Sequence, residues 1–316
     1  MSLTHLITAS FLAMSMAAIA DAQSGVKLSD KLMQSATMDA AAKTQVTAFI
    51  ASSTELLQSS DPAQVRAGRE MITAPMTKGG ANDAFRVTFA SMALPELKNI
   101  VSQGTTFQAT NALEVIKSLQ SPDSLAFLAE QVSAAKQSNG TLRLVAAAGI
   151  AALRTPIDLT TQQADAIVKL IDTSLAGETD WMIASYDLQA LQAFTTSPRA
   201  PKASQNTAKA LLLSRLQAMA TQLRSKTLNS GMIRAINRSL ALYLQNQIPK
   251  LSKAEAGTYT KSLEPTLKIL KGLAATPPDA QHAEAYKQVG KLVDKFLTNL
   301  PASDSGKPAT RRPSGL

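Results

Sequence analysis

Cysteine is absent from the 316 residues of this chain. Its absence excludes a disulfide framework, a thiolate metal site and a cysteine nucleophile, although it does not indicate a redox compartment. Aromatic residues are scarce, at 4% of the chain, whereas hydrophobic residues together make up 45%. We therefore expect a large core in which small aliphatic side chains do most of the packing.

Histidine is nearly absent as well, since the chain contains only His5 and His282. A Ser–His–Asp triad would have to use His282, and no G-x-S-x-G motif presents a serine nucleophile. Two S-x-x-K matches, at 24–27 and 133–136, lack the S-D-N and K-T-G motifs that accompany this chemistry. We predict no catalytic, cofactor-binding or metal-binding residues and a protein that is not an enzyme. An enzyme that uses carboxylates from distant helices is the alternative.

Long hydrophobic runs are lacking too, because the apolar run at 6–20 is shorter than the ~20 residues needed to span a bilayer. Ala20-Asp21-Ala22 follows it, so the layout is typical of a secretory signal peptide cleaved after Ala22. Residues 1–5 depart from this layout because they contain no Lys or Arg. The segment predicts a secreted or periplasmic protein without a transmembrane span in the mature chain. An uncleaved anchor and a buried first helix are the alternatives.

Strand signals are missing, because no segment shows sustained alternation of apolar and polar residues. Helical spacing recurs instead, and it predicts an all-α protein with no sheet. We expect helices at 39–58, 61–71, 83–103, 105–119, 124–137, 142–153, 161–175, 179–194, 202–223, 227–246, 252–273 and 279–300. Pro95 is expected to split or kink its helix, and Asn139-Gly140 to end the helix that precedes it.

The most apolar helix is predicted at 142–153, LRLVAAAGIAAL, where Arg143 is the only charged residue. A helix that is apolar all round is expected to be buried on all sides. Gly149 costs about 1 kcal/mol of helix propensity relative to Ala. We interpret Gly149 as a sign that another helix packs closely at this position.

A repeat is indicated by Leu119, Leu153 and Leu191, which end every second helix at spacings of 34 and 38 residues. Matching apolar and alanine positions precede them at Ile116, Ile150, Leu188, Ala112, Ala146 and Ala184. Periods of this length, built from two helices, are typical of solenoids.

Residues 64–66 and 141–143, each leading into an Ala-rich helix, resemble the helix starts of HEAT repeats, and Ser121-Pro122 resembles the start of the alternate helix. The resemblance covers about residues 61–300 and is firmest over 105–194. It implies a right-handed α-solenoid of antiparallel helix pairs, HEAT/armadillo-like. The later helices are longer, and most Asp and Arg positions typical of the family are missing. An irregular helical bundle is the alternative.

The charge changes at a proline-containing break at 195–201. Residues 23–198 contain 13 basic and 16 acidic residues, whereas residues 199–316 contain 19 and 6. We predict a signal peptide at 1–22 and an N-terminal helical segment at 23–60. Near-neutral HEAT-like repeats follow at 61–198, longer basic helical hairpins that continue the stack at 199–300, and a disordered basic tail at 301–316.

The basic half supplies the candidate binding residues, because its cations recur at helical spacing. The candidate anion-binding residues are Arg234, Arg238, Lys261, Lys268, Lys271, Lys287, Lys291 and Lys295. A solvated lysine face that only maintains solubility is the alternative. Trp181 is the candidate partner-binding residue because exposed tryptophan is frequent at interface hot spots, and core packing is its alternative role.

These features together predict an exported, non-enzymatic binding or scaffold protein that uses an α-solenoid surface to bind a protein partner. The alternative is an envelope-associated protein whose basic half binds anionic lipid head groups or polysaccharide. Nucleic acid is not expected as a partner, despite a pI near 9.7. An exported chain with few aromatic residues in its basic half offers little base stacking.

Overall fold

The computed structural model describes residues 27–77, 80–152 and 158–298. Within these ranges the chain forms thirteen α-helices and two short 3-10 helices, with no β-strand, which confirms the all-helical prediction. The predicted signal segment with Ala20 and Ala22, and the predicted tail at 301–316, lie outside the described residues.

The helices follow one another through short connections. They are α1 (Asp30–Met33), α2 (Ala40–Leu57), α3 (Pro62–Thr77), α4 (Asp83–Gln103), α5 (Thr106–Leu119), α6 (Pro122–Val132), α7 (Gly140–Ala151), α8 (Thr161–Gly177), α9 (Trp181–Thr196), α10 (Lys202–Arg224), α11 (Ile233–Asn246), α12 (Lys253–Ala275) and α13 (Ala283–Thr298). The 3-10 helices are Ser230–Met232 and Ile248–Lys250.

Side-chain caps fix most of the predicted helix starts. The Asp39 carboxylate accepts a hydrogen bond from the Ala42 backbone N–H at 2.7 Å. Thr105 and Ser121 form capping boxes at the starts of α5 and α6. Each cap satisfies a backbone donor that the first turn of a helix leaves without a partner.

Asn139 begins a helix rather than ending one, so the predicted helix stop is wrong. Its side-chain oxygen accepts hydrogen bonds from the N–H groups of Thr141 and Leu142 at the start of α7. The preceding helix α6 ends earlier than predicted, at Val132, because the Ser133 backbone is extended. Asparagine is common at both helix ends, and here its amide oxygen serves as an N-cap.

Proline does not divide the helices. Pro95 lies inside the continuous helix α4, and Pro75 and Pro265 lie inside α3 and α12. A proline in a helix interior removes one backbone hydrogen bond. In α4 the neighbouring Leu94 and Leu97 are buried, so apolar burial on both sides of Pro95 offsets that loss.

The described residues divide into two compact units, the first up to residue 163 and the second from residue 164 onward. In the first unit, α2 packs on α3, α4 on α5, and α6 on α7. The alternate helices α3, α5 and α7 also pack in succession, and α2 packs on α4.

The second unit has the same kind of packing. Here α9 packs on α10 and α12 packs on α13, while α9, α11 and α13 pack in succession and α10 packs on α12. Asp172 of α8 accepts two hydrogen bonds from the Arg215 guanidinium of α10, one of them 2.7 Å long. The change of charge after Pro198 lies within this second unit.

The predicted repeat positions are buried. All eight that the structure describes, that is, every one except Leu153, have almost no exposed surface. They occupy α5, α7 and α9, so the pattern marks the core-facing side of alternate helices.

Close packing at Gly149 is confirmed. A Cβ atom at this position would lie 3.1 Å from Leu128 Cδ1 of α6 and 3.5 Å from Lys117 Cβ of α5. The expectation that α7 is buried on all sides is wrong in part, because Leu144 and Val145 are half-buried. Both follow Arg143 directly in the sequence, and Arg143 is half-buried as well.

Candidate binding surface

The first part of the surface is the exposed side of α9. Asp180 caps this helix, and its buried side contains Ile183, Leu188 and Leu191. Trp181 and Tyr186 are half-buried, whereas Met182 keeps 40% of its surface exposed. The helix therefore presents large apolar side chains outward while its other side fills the core.

Two arginines of α11 cover the aromatic rings of α9. The Arg234 guanidinium carbon lies 5.5 Å from the centre of the Trp181 ring, and that of Arg238 lies 4.7 Å from the centre of the Tyr186 ring. Arg238 Nη2 also donates a hydrogen bond to the Tyr186 hydroxyl at 3.3 Å. We call Trp181, Met182, Tyr186, Arg234 and Arg238 the arginine–aromatic face.

The sequence explains why these arginines point outward. Their four-residue spacing places them on one side of α11, while Ile233, Ile236 and Leu240 turn to the core. Stacking on an aromatic ring costs a guanidinium little of its ability to bind an anion, because its N–H groups lie in the plane at the edge. The rings therefore hold two exposed cations in place, and one N–H group of Arg238 donates to the Tyr186 hydroxyl.

A hydrogen bond joins this surface to α13. Asn237 of α11 donates to Gln288 of α13 at 3.2 Å. The exposed residues Lys287, Lys291 and Lys295 lie on the side of α13 opposite its buried residues, and we call them the lysine stripe. Two helices, α11 and α13, thus contribute cations to this surface of the second unit.

The eight predicted anion-binding residues fall into three groups. Lys268 pairs with Glu264 at 2.8 Å and Lys271 with Asp294 at 3.0 Å. Arg234 and Arg238 stack on rings. Lys261 and the lysine stripe are exposed and form no ion pair with any residue of 158–298. Surface ion pairs are worth little, so the paired lysines also retain much of their attraction for anions.

Sequence reasoning missed the stacking of Arg234 and Arg238 on Trp181 and Tyr186. The rings and the arginines belong to different helices, and only packing shows that they meet. The available signal was the four-residue arginine spacing in a helix that lacks acidic residues. Trp181, which the sequence allowed in either the core or a binding surface, lies at the edge of the surface with its ring half-buried.

A tyrosine pair lines a separate pocket of about 290 Å³ between the ends of α9, α10, α11 and α12. The rings of Tyr243 and Tyr259 stack with their centres 3.9 Å apart, and Lys209 Nζ lies 5.2 Å from the Tyr259 ring centre. Burial raises the pKa of both phenols, so both stay protonated at neutral pH. This pair packs the helix ends and offers no base.

His282 lies at the start of α13 beside Asp279. The Asp279 carboxylate accepts a hydrogen bond from the His282 backbone N–H at 2.8 Å, and its Oδ1 lies 3.1 Å from His282 Nδ1. The Ser230 hydroxyl first, and then the His282 backbone amide, hold the pKa of Asp279 below its usual range. Because Asp279 contacts both the serine and the histidine, the order of contacts differs from that of a Ser–His–Asp triad.

In residues 27–77, 80–152 and 158–298, no group of three or more His, Cys, Asp or Glu side chains could hold a metal ion. Over the same residues, no helix is both long enough and apolar enough to span a membrane.

The comparisons with known proteins gave no match: no family model matches the chain, and no curated protein matches it.

Proposed function

We propose that the protein is an exported, non-enzymatic binding protein whose arginine–aromatic face holds another protein. Export rests on the signal-like segment that ends at Ala22 and on the absence of a later membrane-spanning run in the sequence. The stacked Trp181–Arg234 and Tyr186–Arg238 pairs carry the proposal of protein binding. Tryptophan, tyrosine, arginine and methionine are the residue types enriched at protein interfaces.

The proposed scaffold is a HEAT-like, right-handed α-solenoid. Its support is the 34- and 38-residue spacing together with the succession of alternate helices, α3–α5–α7 in one unit and α9–α11–α13 in the other. Stacked helix pairs of this kind expose one row of helices as an extended surface. The arginine–aromatic face belongs to such a row.

Charge indicates the kind of partner. Residues 199–316 contain 19 basic and only 6 acidic residues, and two cations of α11 lie over the half-buried rings of α9. Complementary charge speeds encounter and suppresses wrong partners. The partner is therefore a protein with an acidic surface, and its binding weakens as salt is added.

Site-specific photo-cross-linking tests this proposal. The chain has no cysteine, so Met182→Cys creates a unique attachment point for a benzophenone maleimide on the face. Gln217→Cys, on the exposed side of α10 in the same unit, is the matched control. The labelled proteins are exposed to an extract of the source cell envelope and irradiated.

The proposal predicts a discrete adduct from position 182 that is missing from position 217. Adding Trp181→Ala or Arg234→Gln to the 182 variant removes the adduct, because truncating a hot spot costs about 2 kcal/mol or more, roughly 30-fold in affinity. Identical adducts from positions 182 and 217, or an adduct that survives both substitutions, would contradict it.

The lysine stripe favours a second candidate function, the binding of anionic lipid head groups or polysaccharide. Lys287, Lys291 and Lys295 form a row of exposed cations with no ion pair among residues 158–298. We would measure co-sedimentation with phosphatidylglycerol and phosphatidylcholine vesicles, and binding of dextran sulfate, at low and high salt. Replacing all three lysines by glutamine should remove salt-sensitive binding, whereas Lys169→Gln, at an exposed lysine of α8, should not. Equal binding to both lipids would contradict this function.

A further inference from the structure

A second pocket, of about 460 Å³, lies where α10 and α12 end in the second unit. This volume falls in the range of sites that hold small molecules. Ile269, Leu273 and Pro277 give it apolar surface, and Leu273 is buried. It is separate from both the arginine–aromatic face and the lysine stripe.

Three cations line this pocket, and none of its lining residues, all of which belong to 158–298, is acidic. Arg224 ends α10, Lys226 follows it, and Lys268 comes from α12. Lys268 also pairs with Glu264 at 2.8 Å on the exposed surface. An exposed pair of this kind exchanges readily with another anion.

Cations near a helix C-terminus often serve only to neutralise the partial negative charge of its unpaired carbonyl groups. Here backbone N–H groups already bind these carbonyls. The N–H groups of Ser225, Lys226 and Thr227 donate to the carbonyls of Thr221, Leu223 and Gln222, at 3.0, 3.2 and 2.9 Å. The turn therefore closes without a contribution from the charged side chains.

Lys226 also has an unfavourable backbone conformation, with φ of 59°. It occupies the left-handed position that follows a helix, where glycine is the preferred residue. A lysine at this position strains the turn and at the same time places an ammonium group at the pocket. Backbone strain of this kind concentrates at functional sites.

Gly272 supplies an independent observation. It lies in the last turn of α12 and lines the pocket, and a Cβ atom on it would meet nothing within 4 Å. In contrast, Cβ atoms at Gly68 and Gly290 would lie within 2.8 Å of a neighbouring helix. Glycine is a poor helix former, so packing explains those two positions and not Gly272. Its effect is to keep the pocket open.

We propose that this pocket binds a small amphiphilic anion, a phosphate or carboxylate group on a short apolar chain. The Arg224 guanidinium accepts the head group through its fork of N–H donors, and Lys226 and Lys268 add charge. The chain lies against Leu273, Ile269 and Pro277. Gly272 leaves the room that the chain occupies.

Calorimetric titration of the full chain with octyl phosphate, kept below its micelle concentration, tests the proposal. Octanoate, inorganic phosphate and octyl glucoside are the comparison probes. We expect one saturable site for octyl phosphate and a weaker one for octanoate, which carries less charge. Inorganic phosphate and octyl glucoside should bind at least about tenfold more weakly, because each lacks one half of the recognised chemistry.

Substitutions separate binding from folding. Gly272→Leu should reduce octyl phosphate affinity by at least about tenfold while leaving the melting temperature equal or higher, because leucine is the better helix former. Arg224→Gln should cause a similar loss. Lys169→Gln, at an exposed lysine of α8 in the same unit, and Gly177→Leu, a glycine with open space outside the pocket, are the matched controls and should bind normally.

The lack of a saturable site for octyl phosphate, or wild-type affinity in Gly272→Leu, would overturn the proposal. If octyl phosphate binds as predicted, vesicles that contain phosphatidic acid distinguish a membrane lipid from a free amphiphile as the source of the head group. Displacement of octyl phosphate by these vesicles, lost in Gly272→Leu, assigns a membrane lipid. Unchanged binding in their presence assigns a free amphiphile.

Discussion

At the scale of single residues, local chemistry explains several departures from expectation. Asn139 and Gly140 together match the pattern of a helix end, yet the Asn139 oxygen binds two N–H groups of the following helix. The dipeptide suits either terminus, and the extended Ser133 backbone had already ended α6. Ser121, which was predicted to start a helix together with Pro122, caps α6 as expected.

Lys226→Gly should raise the free energy of unfolding by about 1 kcal/mol. A non-glycine residue in the left-handed region carries a cost of about 1–2 kcal/mol, part of which the added chain entropy of glycine cancels. Chemical denaturation measures the change. Lys261→Gly is the matched control and should lower the free energy by about 1 kcal/mol, because Lys261 lies inside α12. Destabilisation by both changes would contradict the assigned turn.

The capping box of α12 should make stability depend on pH in the acid range. The Ser252 side chain and backbone hold the pKa of Glu255 below its ordinary value of 4.5. A depressed pKa means that the ionised form stabilises the folded state above pH 4.5, and that this contribution disappears as the pH falls through the folded-state pKa.

Glu255→Gln should therefore lower the melting temperature at pH 7 and have a much smaller effect near pH 3. Thermal unfolding followed by circular dichroism at both pH values measures this. Glu284→Gln, in the first turn of α13, is a control for the general loss of an acidic residue near a helix start. A difference between wild type and Glu255→Gln that stays constant with pH would contradict the capping role.

At the scale of helices, glycine and alanine positions decide how closely neighbours pack. Periodicity identified the buried side of alternate helices, because apolar spacing depends only on local geometry. It did not predict that α3 and α4 continue through proline. That outcome depends on burial of residues such as Leu94 and Leu97, which a single helix does not specify.

Gly68→Ala should lower the free energy of unfolding by about 1–3 kcal/mol. The new Cβ would lie 2.7 Å from the Ser53 carbonyl oxygen and 2.8 Å from the Leu57 nitrogen, both backbone atoms of α2. Backbone atoms cannot rotate away as a side chain can, so the two helices must separate. Chemical denaturation of the purified variant gives the value.

Gly272→Ala is the matched control, and we expect it to change the free energy of unfolding in the opposite direction. Its Cβ meets open space, so removing glycine from α12 should raise the free energy of unfolding by about 0.5–1 kcal/mol. Equal effects of the two substitutions would show that helix propensity alone, and not the approach of α2 to α3, governs these positions.

At the scale of the whole molecule, the sequence predicted the helical class, the order of the helices and the asymmetry of charge. It also marked Arg234, Arg238 and Trp181 separately as candidates. It could not predict that the arginines stack on the rings, because α9 and α11 meet only through folding and no local pattern joins them. The cationic pocket could not be predicted from the sequence for the same reason, because α10 and α12 each contribute part of it.

The central claim, that the arginine–aromatic face binds an acidic protein partner, has a built-in reporter. Trp181 is the only tryptophan of the chain, and it lies on that face beneath Arg234. The measurement is a titration of the full chain with the partner captured through position 182, followed by tryptophan emission, with a partner fragment that lacks tryptophan. Arg234→Gln is titrated in parallel, and both series are repeated at high salt.

We predict a saturable shift of the Trp181 emission, an affinity that falls as salt rises, and a loss of about tenfold or more in Arg234→Gln. Binding that sedimentation detects without any change in Trp181 emission, and with equal affinity for wild type and Arg234→Gln, would contradict the account.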